Sequence, residues 1–339
     1  MEPGGRGGRE MSHTLRNCDC MDLMASLQAK SQQLVIVDPP YFEVKGEFDF
    51  VWESFDDYLR DVKKWATEIK RILADNGTVL WWGHAKKIAY TQVILDELFT
   101  MENSLVWRKT DAQSQRQEFA TARCFAPVTE RILMYSQGDE PGEWSKTGLQ
   151  VIYSNPGCFG PIKAYMRGER DKLMALLGLT TMGAFDKFVD ELTGTRNVVS
   201  RHYFADSQYC FPTEQHYRSL QTTGFWQREY EDLRREYEDL RRPFSNTLRL
   251  CDVMEFSQEA HHTGRWGHPT QKPPTLCRAL IQTCSKRGQN LLVPFAGSFV
   301  KVVEGINLGL TVSASEIDSA YYARGLERVK EQTSQLALF

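Results

Sequence analysis

Four consecutive residues, Asp38, Pro39, Pro40 and Tyr41, have the types needed to activate an exocyclic amine of a nucleobase. Such an amine is a poor nucleophile because its lone pair is delocalised into the ring. Asp38 and the carbonyl of Pro39 are hydrogen-bond acceptors that could take the two amine hydrogens and localise that lone pair. Tyr41 could stack on a base swung out of its helix. The motif predicts methylation of an amine; the alternative is a strand that ends in a Pro-Pro turn.

A buried strand must position this motif. Val35, Ile36 and Val37 are β-branched and suit a parallel strand with both faces covered. The two prolines cannot continue a β-ladder, so the strand ends at them. Asp38 and Tyr41 are therefore expected on a stiff turn at the carboxyl end of a strand, where open α/β sheets bind ligands.

The composition is that of an ordinary globular chain. Its 339 residues are 41% hydrophobic and 25% charged, which predicts one or two domains. The net charge is −3, so a DNA-binding face would have to be local. The eight cysteines are scattered, which predicts reduced thiols and no metal site. No apolar run suits a membrane span and no signal peptide is evident, so we expect a cytoplasmic protein with no membrane partner.

A second candidate site lies near the end of the sequence. A strand from Asn290 to Val293 is followed by a turn with Gly297, a helix, and a strand that ends at Glu316. This order is the half-Rossmann pattern for an adenosine, in which glycine lets the backbone approach the ligand and the acid accepts the ribose hydroxyls. A purely structural turn is an equal alternative.

The first third also leaves one acid with two interpretations. His13 to Cys18 predicts a strand, and Asp19 after it either faces the carboxyl edge of the sheet or caps the following helix. A helix with apolar spacing from Phe55 to Leu73 is expected to end in an Asn76-Gly77 turn.

The composition changes after Gln137. Two helices are predicted, Ile162 to Leu177 and Met182 to Leu192, which Gly178 and Gly194 end. A helix pair followed by a polar and aromatic segment resembles a helix-turn-helix reader of DNA, although helical insertions without that role are common. The side chains suited to phosphates and base edges are Arg196, Arg201, Ser207 and Gln208.

A seven-residue repeat follows this region. Residues 228–234 recur as 235–241, with the sequence Arg-Glu-Tyr-Glu-Asp-Leu-Arg. The apolar residues of the repeat form one helical stripe, namely Tyr230, Leu233, Tyr237 and Leu240. Two heptads are too few for a coiled coil, so the stripe is expected to pack on its own domain. A dimer contact is the minority interpretation.

Three motifs now stand in a fixed order: Asp-Pro-Pro-Tyr at 38–41, His-Pro-Thr-Gln-Lys-Pro at 268–273, and Pro-Phe-Ala-Gly-Ser at 294–298. The chain resembles the S-adenosylmethionine-dependent DNA amino-methyltransferases of adenine N6 or cytosine N4, in the permuted β-type order. The match covers 13–137 and 247–333.

The resemblance implies the fold class and the order of domains. The fold is α/β, a Rossmann-like seven-stranded methyltransferase sheet with an inserted, mostly helical target-recognition domain. The expected boundaries are a disordered leader 1–12, a catalytic half 13–137, a target-recognition region 138–246, a cofactor-binding half 247–333 and a tail 334–339.

The resemblance also implies roles for single residues. Asp38, Pro39, Pro40 and Tyr41 carry catalysis and contacts to the target base. The cofactor-binding residues are Asp19, Asp38, His268, Thr270, Lys272, Phe295, Ala296, Gly297, Ser298, Glu316 and Asp318. In the family pattern, Glu316 resembles the ribose ligand, Asp19 resembles the acid that faces adenine, and Lys272 suits the carboxylate of the cofactor.

Two positions depart from the family pattern. The cofactor loop usually ends in Gly-Ser-Gly, but Phe299 replaces the second glycine, and Val293 stands where the loop usually begins with aspartate. Either the Phe299 ring packs in the core from the first turn of a helix, or it crowds the cofactor.

The resulting prediction is a site-specific DNA methyltransferase that flips adenine from duplex DNA and methylates its N6 amine. S-adenosylmethionine is the methyl donor, S-adenosylhomocysteine the product, and no metal is required. Methylation of cytosine N4 is the first alternative, a DNA-binding relative with impaired catalysis the second, and an RNA substrate the third. A homodimer and a cognate restriction nuclease stay open as partners, and the gene is expected in a bacterium, phage or mobile element.

Overall fold

Two compact units divide the chain. One combines Met1–Gln137 with Pro243–Phe339, and the other is Gly138–Arg242. The computed structural model describes residues 12–44, 49, 51–110, 123, 125, 127–137, 159–205, 209–258, 266 and 268–333.

The first unit contains an eight-stranded sheet of order β1-β8-β7-β2-β3-β5-β4-β6. Its strands are β1 (Thr14–Arg16), β2 (Gln32–Val37), β3 (Leu73–Gly83), β4 (Thr100–Lys109), β5 (Thr129–Ser136), β6 (Val253–Phe256), β7 (Asn290–Val293) and β8 (Thr311–Ser315). Neighbouring strands are parallel except that β5 runs antiparallel to both β3 and β4. The α/β fold class is confirmed, with eight strands where the resemblance implied seven; the short strand β6 pairs with the edge of β4.

Helices connect these strands. In the described part of the first unit they are α1 (Cys20–Ala25), α2 (Phe55–Ile72), α3 (Ile88–Asp96), α9 (Pro274–Cys284), α10 (Val300–Asn307) and α11 (Ser319–Thr333). The second unit supplies α4 (Gly160–Leu177), α5 (Met182–Thr193), α6 (Val199–Tyr203), α7 (Glu214–Gln221) and α8 (Tyr230–Leu240).

Strand β2 lies in the middle of the sheet and contributes to the core on both faces. It pairs in parallel with β3 on one side and β7 on the other. Because side chains alternate along a strand, Val35 and Val37 enter one hydrophobic cluster, whereas Leu34 and Ile36 enter the other. All four are fully buried, as the β-branched run predicted. This burial holds the residue after Val37 at the carboxyl edge of the sheet.

The predicted Asn76-Gly77 turn at the end of α2 is wrong. The helix ends at Ile72, and Leu73 already has an extended backbone with φ −67° and ψ 130°. Strand β3 runs on through Asn76 and Gly77, with a shift of register opposite β2. Residues 74–77 lie between the pairs Gln32–Leu73 and Leu34–Thr78, so Asn76-Gly77 fall in an irregular stretch of β3 opposite β2 and not in a helix C-cap.

The second unit has its own hydrophobic core. Gly178 and Gly194 follow α4 and α5 in the left-handed conformation, with φ of 68° and 67°, so both predicted helix ends are confirmed. The repeat forms α8, whose Tyr230 and Leu233 are buried in this core. Packing of the stripe on its own domain is thereby confirmed.

No helix among the described residues is both long and apolar enough to cross a membrane. In that same part of the chain, no three side chains of His, Cys, Asp and Glu are grouped to hold a metal ion.

Candidate active site

One cavity of about 970 Å³ collects residues from the carboxyl ends of four strands in the first unit. Asp19 follows β1, Asp38 follows β2, Gly297 follows β7 and Glu316 follows β8. Every predicted catalytic or cofactor-binding residue lines this cavity. The carboxyl ends of parallel strands meet at one edge of a sheet, which is why motifs more than 250 residues apart in sequence lie together.

Three side chains that line the cavity contact the carboxylate of Asp38. Its Oδ2 atom accepts a hydrogen bond from Lys301 Nζ at 2.7 Å. Its Oδ1 atom accepts one from the Tyr41 hydroxyl at 2.8 Å and lies 3.1 Å from Lys272 Nζ. Burial by itself would raise the pKa of Asp38, but the two lysines outweigh it and hold this pKa well below its usual range. Asp38 is therefore a carboxylate at neutral pH, able only to accept hydrogen bonds.

Lys272 joins Asp38 to a second buried acid. Only 3% of the Lys272 side chain is exposed, and its Nζ lies 3.2 Å from Glu130 Oε2. Glu130 in turn pairs with Lys109 at 2.7 Å. Burial would lower the pKa of Lys272, but Asp38 and Glu130 outweigh it and raise this pKa. Lys272 is thus a charged link between two carboxylates, and it lies 5.2 Å from the centre of the Tyr41 ring.

The Asp-Pro-Pro-Tyr turn is anchored by Asp49. The backbone N–H of Tyr41 donates to Asp49 Oδ1 at 2.5 Å, and the side chain of Asp49 is buried. The backbone N–H of Glu43 donates to the Asp49 carbonyl at 2.7 Å. These bonds hold the turn in one conformation. Pro39 and Pro40 have no backbone N–H, so Tyr41 is the first residue after Asp38 whose backbone can donate a hydrogen bond.

The loop after β7 brings its backbone close to the cavity. Gly297 has φ +54°, and a β-carbon there would lie 3.1 Å from Nε2 of His268. Its N–H donates to Glu316 Oε2 at 2.7 Å. Only a residue without a side chain fits this position without strain, as the half-Rossmann interpretation expected.

Apart from Asp38, the three predicted acids of the cofactor site each accept a hydrogen bond from a backbone N–H. Glu316 Oε1 accepts from the N–H of Asp318 at 3.0 Å, and burial raises the pKa of Glu316. Asp318 Oδ1 accepts from the N–H groups of Ala320 and Tyr321, both at 2.8 Å, at the start of α11. Asp19 caps α1 through the N–H of Met21 at 2.7 Å and also lines the cavity, so its two interpretations are compatible.

His268 forms part of the wall opposite Gly297. Its ring centre lies 4.5 Å from that of Tyr321, and its Nδ1 accepts from the N–H of Thr270 at 3.3 Å. Burial lowers the pKa of His268 to about 4. The imidazole is therefore neutral at neutral pH.

Phe299 points away from the cavity. Its side chain is fully buried in the hydrophobic cluster that also contains Leu34 and Ile36, and its ring centre lies 6.0 Å from that of Tyr322. Its backbone is left-handed, with φ 60°, where the family pattern has glycine. The core interpretation of Phe299 is confirmed, and Phe299 is not among the residues that line the cavity.

Sequence reasoning missed three residues of the site: Lys301 and Asp49, which contact the Asp-Pro-Pro-Tyr turn, and Glu130, which pairs with Lys272. Lys301 stands at the second position of a predicted helix, where a cation is unfavourable. This position could have indicated that the lysine has an acidic partner. Glu130 carries no local signal, since it reaches the site through the pairing of β5 in the sheet, whereas Asp49 lies only eight residues after Tyr41, in the loop that follows the motif.

The predicted DNA-contacting residues lie in the second unit. Arg196 and Arg201 are exposed, with Arg196 in the loop between α5 and α6 and Arg201 on α6. Ser207 and Gln208 lie outside the described residues. Arg196 borders a shallow surface cleft of about 640 Å³ that also contains Lys187.

Comparisons with known proteins agree with this geometry. The sequence model of the N6/N4 methylase family, described as DNA methylase, matches residues 32–327. DNA adenine methyltransferase YhdJ of Escherichia coli (strain K12) is 42% identical over 330 residues, which are 96% of this chain and 84% of that protein. Type II methyltransferase M.HinfI of Haemophilus influenzae is 27% identical over 115 residues, 29% of this chain and 32% of that protein.

A solved structure shares the fold. PvuII DNA methyltransferase (cytosine-N4-specific) superposes with a TM-score of 0.51 at 10% identity, over 97% of this chain and 95% of that one. At this identity the likeness concerns the fold alone.

Proposed function

The chain belongs to the N6/N4 DNA methylase family, and from this premise we propose that it methylates the N6 amine of adenine in duplex DNA with S-adenosylmethionine as donor. The single observation that carries the proposal is the position of Asp38, a buried carboxylate on a Pro-Pro turn, in the same cavity as the Gly297 loop. Asp38 can accept a hydrogen bond from an amine, and the Gly297 loop suits an adenosine; both line the same cavity.

The residues present fit S-adenosylmethionine. The cavity volume of about 970 Å³ lies at the upper end of the range for small-molecule sites. Gly297 leaves room for close approach of a ligand to the backbone, and the Glu316 carboxylate retains lone pairs for ribose hydroxyls. When bound, this cofactor supplies a methyl group already activated on a sulfonium sulfur. The protein therefore needs to bind, orient and exclude water rather than form a covalent intermediate.

Asp38 and the Pro39 carbonyl are proposed to accept the two hydrogens of the target amine. Localising the nitrogen lone pair makes the nitrogen nucleophilic. It would form the new bond to the methyl carbon as the methyl–sulfur bond breaks, with S-adenosylhomocysteine as the leaving group. The nitrogen then releases one proton to solvent, because the low pKa of Asp38 makes it a poor base. Tyr41 is proposed to stack on the flipped adenine, with Pro40 stiffening the turn.

The remaining predicted residues are proposed to enclose the cofactor. Phe295, Ala296 and Ser298 complete the loop around Gly297, and Asp19 faces the adenine of the cofactor. Thr270 and neutral His268 cover the methionine end, where Lys272 has a third N–H for the cofactor carboxylate. Asp318 supports this pocket by fixing the start of α11.

The region 138–246 is proposed as the target-recognition domain. Arg196 and Arg201 are exposed cations suited to phosphates, and Ser207 and Gln208 are suited to base edges. Removing one phosphate contact weakens binding about equally for all DNA sequences, whereas removing a base contact relaxes sequence preference. DNA binding by Arg196→Ala and Arg201→Ala over a range of salt separates these roles.

Adenine is proposed over cytosine because of the 42% identity to a protein named as a DNA adenine methyltransferase. The test is expression in a host free of DNA methylation, followed by methylome sequencing and mass analysis of nucleosides. N6-methyladenine in one sequence motif is expected, and Asp38→Ala should give none. N4-methylcytosine without methyladenine would replace adenine by cytosine as the target, and an unmodified genome with folded protein would contradict the proposal.

A homodimer, a cognate restriction nuclease and a cytoplasmic location are further proposals that accompany this activity. Light scattering of the purified chain decides the first. Protection of methylated DNA from a nuclease encoded beside the gene decides the second. If the protein is cytoplasmic, the chain expressed in a bacterial host should methylate the chromosome of that host.

A further inference from the structure

Lys301 occupies a position that is unfavourable for a lysine. It is the second residue of α10, where the positive end of the helix dipole repels a cation. Its side chain is only 5% exposed, so the ammonium group has lost most of its hydration. A buried charge is costly unless it is paired. Something specific must therefore compensate this lysine.

Asp38 provides that compensation. Lys301 Nζ lies 2.7 Å from Asp38 Oδ2 and 5.7 Å from the centre of the Trp82 ring, which adds a cation–π contact. The pair joins α10, which follows the Gly297 loop, to the catalytic turn 263 residues earlier. This ion pair and the Lys272–Asp38 pair thus both connect the two halves of the candidate site.

The hydrogen bonds of Asp38 leave one of its oxygens with capacity. A carboxylate oxygen accepts about two hydrogen bonds. Oδ1 already has two donors, the Tyr41 hydroxyl at 2.8 Å and Lys272 Nζ at 3.1 Å. Oδ2 has one donor, Lys301. The oxygen able to take a hydrogen from a substrate amine is therefore Oδ2.

We propose that Lys301 is a positioning residue that directs the remaining lone pair of Asp38 Oδ2 at the target amine, an inference that rests on the methyltransferase function proposed above. Lys301 holds one side of Oδ2, and the amine hydrogen takes the other. Tyr41 and Lys272 hold Oδ1, so the carboxylate cannot rotate to present another lone pair.

A double-mutant cycle in unfolding tests the ion pair without DNA or cofactor. In the wild-type background, Lys301→Met leaves Asp38 with one cation fewer and is expected to destabilise the protein. In the Asp38→Asn background, Lys301 is a buried cation beside Lys272, so the same change is expected to stabilise it. The coupling should alter the unfolding equilibrium constant about tenfold or more. An equal effect of Lys301→Met in both backgrounds would overturn the proposal.

Steady-state kinetics test the positioning role. Lys301→Met is expected to lower kcat about 10- to 100-fold, because a small misplacement of a reacting group has effects of that size. The KM for DNA and the Kd for S-adenosylmethionine should stay within about twofold, since the contact concerns orientation rather than binding. Lys301→Arg should recover part of kcat. A wild-type kcat for Lys301→Met would overturn the proposal.

Arg278→Met is the matched control. Arg278 on α9 donates from its Nε to Oε2 of Glu304 on α10 at 2.6 Å. Arg278→Met therefore also removes the cation from an ion pair that involves α10. Arg278→Met should lower the stability of the protein but leave kcat at the wild-type value. If Arg278→Met lowered kcat as much as Lys301→Met does, the effect of Lys301→Met would be due to damage to α10, and the positioning role would be refuted. Methylation that survives in Asp38→Ala, which has no side-chain acceptor, would instead contradict the proposed function, and the unfolding cycle would still report on the ion pair.

Discussion

A β-carbon added to Gly325 would lie 2.1 Å from Cδ2 of Phe299, so the Phe299 ring occupies space that only a glycine leaves open. Gly325 is on α11, and Phe299 is the residue before α10. A bulky residue in the cofactor loop is thus accommodated by a missing side chain on a neighbouring helix. The Phe299 ring consequently lies in the core and is not among the residues that line the cavity.

Phe299→Gly is expected to destabilise the protein. Loss of the buried ring costs about 3–5 kcal/mol, whereas relief of the left-handed backbone contributes about 1–2 kcal/mol in the opposite direction. The net loss is about 2 kcal/mol, measured by urea unfolding. Affinity for S-adenosylmethionine, measured by calorimetry on folded protein, should stay near the wild-type value; a large gain would mean that the ring does crowd the cofactor.

Gly325→Ala tests the other side of the same contact. The added methyl group overlaps the Phe299 ring, and overpacking of this kind costs about 1–3 kcal/mol. Phe299→Leu in the Gly325→Ala background should restore part of that stability, because a smaller side chain frees the space. If the two changes add independently, the ring and the glycine do not share this space.

Asp38→Ala is expected to abolish methylation while S-adenosylmethionine still binds. The change removes the acceptor for the target amine, and it leaves the Lys272 and Lys301 cations without the carboxylate between them. Breaking a buried ion pair from one side costs about 3–5 kcal/mol, so a lower melting temperature should accompany the loss of activity. Equal loss of methylation and of cofactor binding would place Asp38 in the cofactor site only.

Protein stability should fall as the pH drops from about 6.5 toward about 4, in part because of His268. The folded protein holds this imidazole neutral down to a pKa of about 4, whereas the unfolded chain protonates it near the ordinary value of 6.5. In that window the unfolded state binds more protons, and stability decreases with falling pH. His268→Asn retains an acceptor for the Thr270 N–H and should show a weaker decrease in urea unfolding across the same window.

Gly297→Ala is expected to weaken cofactor binding. The left-handed backbone, with φ +54°, is strained by about 1–2 kcal/mol for any residue with a β-carbon. The added methyl group also meets His268 Nε2 at 3.1 Å, on the cavity side of the loop. We expect the Kd for S-adenosylmethionine, measured by calorimetry, to rise about tenfold, while Gly178→Ala in the second unit leaves it unchanged. An unaltered Kd for Gly297→Ala would remove this loop from the cofactor site.

Much of the fold was predictable because it depends on local properties. The β-branched run before Asp38, the two prolines after it, and the left-handed glycines at 178 and 194 each restrict the backbone where they stand. The Asn76-Gly77 pair was a misleading signal for the end of α2, because these residues lie inside β3, in a stretch out of register with β2. The helix ends at Ile72, where the chain enters β3 and Leu73 pairs with Gln32, a contact that no local pattern shows.

The sequence by itself determined the chemistry: an acid on a Pro-Pro turn, a glycine loop and an acid after the next strand, in an order typical of one family. Only the tertiary structure decided which charges surround Asp38 and where the Phe299 ring lies. Lys301 and Lys272 contact Asp38, and the missing side chain of Gly325 leaves space for Phe299, through contacts between separate segments of the chain. Such contacts depend on the distances set by sheet pairing and helix packing, which no local pattern of residues encodes.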